Sequence, residues 1–60
     1  MQFIGNYELE PFCWELYRTR SGFLCHLWKA GKKVVSFRRA SREGIERTIR
    51  NIWKEAKKWD

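Results

Sequence analysis

From Phe12 onward the chain alternates apolar and polar positions in runs of strand length. In Phe12–Thr19, Phe12, Trp14 and Leu16 point one way, while Cys13, Glu15, Tyr17 and Thr19 point the other. Ser21-Gly22 is a tight-turn signal, because glycine takes positive φ without steric cost. With those two residues at the turn centre, Arg20 faces Phe23 and a second strand runs from Phe23 to Trp28. Lys29-Ala30-Gly31 predicts a type I turn closed by glycine in the left-handed region. A third strand follows over Lys32–Arg38, pairing Val35 with Cys25 and Phe37 with Phe23. The pleat then gathers Phe12, Trp14, Leu16, Phe23, Cys25, Leu27, Val35 and Phe37 on one face. The other face carries Glu15, Tyr17, Thr19, Leu24, His26, Trp28, Val34, Ser36 and Arg38.

After Ala40 the period changes. Ile45, Ile49, Ile52, Trp53 and Ala56 form an apolar stripe of helical spacing, opposite Arg47, Arg50, Asn51, Lys54 and Lys58. Ser41 suits an N-cap, and Glu43 places a carboxylate where the helix dipole favours it. The helix is expected from about Arg42 to Trp59, with Glu43–Arg47 and Glu46–Arg50 as i,i+4 pairs.

Residues 1–11 are harder to place. Gly5-Asn6 is a turn signal, and Pro11 argues against a central strand. The segment is either an edge strand or an arm that lays Phe3, Ile4 or Tyr7 across Trp28 and Leu24. The expected fold is therefore α+β, a three-stranded antiparallel β-sheet packed on one C-terminal α-helix (β-β-β-α). A single small domain covers 1–60: arm or edge strand at 1–11, sheet at 12–39, helix at 41–59.

Composition sharpens the picture in one respect. The formal charge of +6 is unevenly spread. Residues 1–17 hold Glu8, Glu10 and Glu15 and no base. Residues 18–42 hold eight bases (Arg18, Arg20, Lys29, Lys32, Lys33, Arg38, Arg39, Arg42) and no acid. Such polarity suits an anionic partner. Cys13 and Cys25 lack CxxC spacing and His26 is the sole histidine, so no metal site or other cofactor is expected. The alternation puts the two thiols on opposite faces, which predicts reduced cysteines and an intracellular, cytoplasmic protein. Neither a secretory signal nor a run of transmembrane length occurs, so no membrane partner is expected. No nucleophile–base set or paired-carboxylate site can be assembled, which argues against an enzyme.

The candidate chemistry lies on the second sheet face and its turns. Arg38, Ser36 and His26 offer hydrogen bonds to phosphates or bases, and Tyr17 and Trp28 offer rings for stacking. Arg18, Arg20, Lys32 and Lys33, with Lys29 beside them, suit phosphate clamping at the sheet ends and turns. The nine residues besides Lys29 are the predicted nucleic-acid-binding set, with double-stranded DNA favoured. The alternative is a protein–protein interaction module, in which Tyr17, Leu24, Trp28 and Val34 form an aromatic and aliphatic patch rimmed by bases for an acidic protein or a second copy.

The run Leu16-Tyr17, Gly22-Phe23-Leu24-Cys25, Gly31-Lys32-Lys33, Arg42-Glu43, Ile49 and Asn51-Ile52 resembles the amino-terminal arm-type DNA-binding domain of phage tyrosine integrases. The order of parts is also similar to the plant AP2-type domain. The resemblance covers about residues 14–56. It implies a three-stranded sheet set in the DNA major groove, and an origin in a phage or mobile element.

Overall fold

The computed structural model describes residues 1–58, with side chains through Ala56. The order of elements is β1 (Gln2–Leu9), β2 (Phe12–Thr19), β3 (Gly22–Lys29), β4 (Lys32–Arg39) and α1 (Arg42–Lys58). The fold is α+β, with one antiparallel sheet and one C-terminal helix. The sheet has four strands in the order β1-β2-β3-β4, not three. The expected helix end at Trp59 lies outside the described residues.

The fourth strand is the segment before Pro11. It pairs along β2, with Tyr7 opposite Trp14 and Leu9 opposite Phe12. A register shift between Phe3 and Gly5 leaves Ile4 as an extra residue. That bulge sends Phe3 to one face and Tyr7 and Leu9 to the other, which breaks the simple alternation. Gly5-Asn6 is thus strand interior at a bulge rather than a turn. Pro11 and Glu10 form the two-residue turn, through a cis peptide bond, so the ladder needs no N–H from the proline.

Both later hairpins pair two residues out of the expected register. Thr19 pairs with Gly22, so Arg20-Ser21 form the turn centre and Arg18, not Arg20, faces Phe23. Gly22 opens β3 at φ 146°, close under the β4–α1 link. At the next turn, Lys29 pairs with Lys32 and both central residues have positive φ, Ala30 at 52° and Gly31 at 78°. This is the type I′ geometry, whose twist matches the flanking strands. The odd residue expected in that turn sits in the strand instead. Trp28 pairs with Lys33 and Leu27 with Val35, leaving Val34 as a bulge. Cys25 accordingly faces Phe37 rather than Val35. A shift of two preserves the faces expected for Val35, Ser36, Phe37 and Arg38, but across the bulge the shift is one, so Lys33 rather than the expected Val34 joins Trp28 on the outer face.

The helix-side core is Phe12, Leu16, Cys25, Leu27, Ile45 and Ile49, flanked by Tyr7, Leu9, Trp14, Phe23, Phe37, Ile52, Trp53 and Ala56. Each fully buried Leu or Ile contributes about 1.5–3 kcal/mol of transfer free energy. Ser41 caps the helix: Gly44 N–H donates to Ser41 Oγ at 3.1 Å. Side-chain bonds tie the helix to both halves of the sheet. On the β1 side, Arg42 donates to Tyr7 Oη at 2.7 Å and Trp53 Nε1 donates to the Glu10 carbonyl at 2.7 Å. On the β4 side, Arg39 Nε donates to Thr48 Oγ1 at 3.1 Å. Among the described residues Arg42 pairs with Glu46 at 4.0 Å, and the expected Glu43–Arg47 and Glu46–Arg50 pairs do not form. Val35, expected in the core, faces the helix side from an edge strand and stays 38% exposed.

Candidate nucleic-acid interface

The face away from the helix carries Tyr17, His26, Trp28, Ser36 and Arg38 together, as the alternation requires. Their neighbours are what the sequence did not reveal. Trp28 Nε1 donates to Glu15 Oε1 at 2.8 Å, and Tyr17 Oη donates to Glu15 Oε2 at 3.2 Å. Partial desolvation, then the bond to Glu15 and its charge, hold the Tyr17 phenol above its usual pKa. His26 Nδ1 and Ser36 Oγ share a hydrogen bond of 2.6 Å. Phe3 meets Tyr17 edge-on, with ring centroids 5.4 Å apart, and Tyr17 meets His26 in the same way at 5.4 Å. Phe3, Tyr17, His26 and Ser36 therefore form one row of contacts across all four strands. Beside it Leu24, only 8% exposed, lies outside the helix-side core. The N-terminal segment joins the sheet as β1 rather than crossing its outer face. Phe3 packs on Tyr17, while Tyr7 stacks on Trp14 on the helix side.

The basic residues divide by topology. The β2–β3 turn and the end of β4 lie at the same end of the sheet. Cross-strand register sets Arg18 opposite Phe23, Phe23 opposite Arg39 and Leu24 opposite Arg38, with Arg20 in the adjoining turn. Two pairs of arginines about twenty residues apart in sequence are thereby gathered. Arg39 is partly committed: it donates to Thr48, bonds the Arg38 carbonyl at 2.6 Å and lies over the Phe37 ring. Arg18, Arg20 and Arg38 are exposed. At the opposite end, Lys32 and Lys33 are exposed beside the β3–β4 turn, Lys33 across from Trp28. Of the nine predicted residues, six share the outer face or its rim; Arg18 sits on the helix-side parity, Arg20 in a turn and Lys32 next to one.

Two further residues, Glu15 and Phe3, belong to this face. Glu15 is legible as an outer-face position beside Tyr17, but its donor Trp28 comes from the neighbouring strand β3. Phe3 depends on the Ile4 bulge, for which only Gly5 was a signal.

The cysteines are both free, Cys13 exposed on the outer face and Cys25 buried in the core. Burial pushes the Cys25 thiol up to about 11. Among the described residues no three His, Cys, Asp or Glu side chains group as metal ligands, and no helix is long and apolar enough to cross a membrane. No protein-family model, curated protein or solved structure matches the chain.

Proposed function

We propose that this chain binds nucleic acid, double-stranded DNA in preference to single strands. The observation that carries this reading is the gathering of Arg18, Arg20, Arg38 and Arg39 at one end of the sheet, with no strand carboxylate beside them. Guanidinium groups bind phosphate oxygens in a planar, bidentate fork. Arg18, Arg20 and Arg38 clamp one stretch of backbone, and Lys32 and Lys33 at the far end of β4 reach a second. Duplex is favoured over single strands for a physical reason. Phe3, Tyr17 and His26 pack edge to face with one another, and Trp28 is held by Glu15, so few ring faces stand free to stack on unpaired bases. The outer face then meets a groove as a positioned surface, with Arg38 as its base-reading candidate.

The test is fluorescence anisotropy with a random-sequence duplex, a single strand and an RNA hairpin, each across a salt series. Binding through three or four phosphates predicts a log–log slope of about −3 for the duplex. Joint reversal of Arg18, Arg20 and Arg38 to Glu lowers affinity at least about tenfold, whereas Lys54→Glu on the helix leaves it nearly unchanged. Absence of duplex binding at low salt, or indifference to the triple reversal, overturns the proposal.

A further inference from the structure

β1 and β4 are the outer strands of the sheet, and among the described residues no strand pairs with their outward edges. They differ in charge. The β4 edge carries Lys32, Lys33, Arg38 and Arg39 and no acid. The β1 edge with its turn carries Glu8 and Glu10 and no base. They are alike in apolar exposure. Every exposed large hydrophobic among the described residues lies on these two strands or just before β1: Met1, Phe3 (50%) and Ile4 on one side, Val34 (52%) and Val35 on the other.

We propose that copies of this chain assemble head to tail, the β4 edge of one copy pairing antiparallel with the β1 edge of the next. Continuing the up-and-down order of the sheet keeps every helix on the same face. It also fixes which ends meet. The β1–β2 turn and the start of β4 lie at the same end of the sheet, so Glu8 and Glu10 of one copy come alongside Lys32 and Lys33 of its neighbour. At the other end Phe3 comes alongside Arg38 and Arg39, where a guanidinium over an aromatic ring is favourable. Val34 and Val35 are covered between the two ends.

Like edges do not compete. A two-fold β4–β4 pairing sets Lys32 and Lys33 of each copy against Arg38 and Arg39 of the other, eight bases along one seam. A β1–β1 pairing sets Glu8 and Glu10 of each copy against Gln2 and Phe3 of the other and makes no ion pair. Repulsion along β4–β4 and attraction along β4–β1 thus select the unlike pairing. An unlike interface is heterologous, so it propagates into a filament or closes into a ring rather than stopping at a dimer. This inference does not rest on nucleic-acid binding, and its test uses nucleic-acid-free protein.

The experiment is sedimentation velocity over a wide concentration range at about 20 mM and about 0.5 M salt. The wild-type mass is expected to climb past the dimer at low salt and fall back at high salt. E8K/E10K has two basic edges and K32E/K33E has two acidic edges at that end, so each alone is expected to weaken assembly at least about tenfold. An equimolar mixture of the two restores it, because each variant supplies the edge its partner lacks. All four positions are exposed, and far-UV circular dichroism checks that both variants keep the fold. A wild-type monomer at every concentration, an assembly indifferent to salt and to the reversals, or no recovery on mixing overturns the proposal.

Discussion

The indole of Trp28 donates to the carboxylate of Glu15 at 2.8 Å, on the same sheet face that carries Tyr17, His26 and Arg38. The bond places a negative charge in the middle of a surface proposed to meet phosphates. Glu15→Gln keeps an acceptor for Trp28 and removes the charge. The expected outcome is duplex affinity several-fold tighter at low salt, with the gain shrinking as salt screens the repulsion. Anisotropy titrations of the two proteins at matched salt check it. Glu15→Ala serves as the contrast, since it removes the acceptor of Trp28 and Tyr17 along with the charge.

Gly22 sits where no side chain fits. Its φ is 146°, and an added Cβ would lie 2.4 Å from the Arg39 carbonyl oxygen and 2.9 Å from Ala40 Cα. Both neighbours are backbone and cannot rotate away. Gly22→Ala is expected to destabilise by about 2 kcal/mol or more, seen as a lower urea midpoint with an unchanged slope.

Ala30 offers the opposite opportunity. It holds φ 52° ahead of Gly31 in the type I′ turn, a conformation that costs alanine about 1–2 kcal/mol. Asparagine tolerates that region and is favoured in this turn position. Ala30→Asn is expected to raise stability by up to about 1 kcal/mol, or about 4–8 °C in Tm for a domain of this size.

Trp53 joins the helix to the β1–β2 turn through its bond to the Glu10 carbonyl. Trp53→Phe keeps most of the apolar contact and loses that donor. A loss of about 1 kcal/mol is expected in thermal or urea unfolding.

The two thiols make a matched pair of probes. Cys13 is exposed and is expected to react with a thiol reagent in the native protein; Cys25 reacts only on unfolding. The buried thiol also sets a pH dependence. Its folded pKa, about 11, lies above the value of the unfolded chain, near 9. The neutral thiol is the form the core accepts, so its contribution is intact below about pH 9. It is lost as pH rises toward 11, at a slope of at most about 1.4 kcal/mol per pH unit. Urea midpoints at pH 8 to 11 check this, with Cys25→Ala removing that component of the slope.

Local patterning determined much of this protein. A period of two from Phe12 to Arg38 and a helical period from Ile45 to Ala56 are properties of nearest neighbours. They specified which of these residues are strand, which are helix and, away from the Val34 bulge, which side of the pleat each one takes. Ser41 capped the helix as its side-chain chemistry requires. Only the tertiary structure decided what depends on pairing at a distance. Residues 1–11 form a strand because β2 offers them an edge, and the Ile4 bulge hides the alternation that would have announced it. Register slipped by two in both later hairpins, since turn type depends on backbone twist shared with the flanking strands. The faces survived because the pleat repeats every two residues. The gathering of Arg18, Arg20, Arg38 and Arg39, the hold of Trp28 on Glu15, and the opposed charges of the two sheet edges all arise from strand order, which no local pattern encodes.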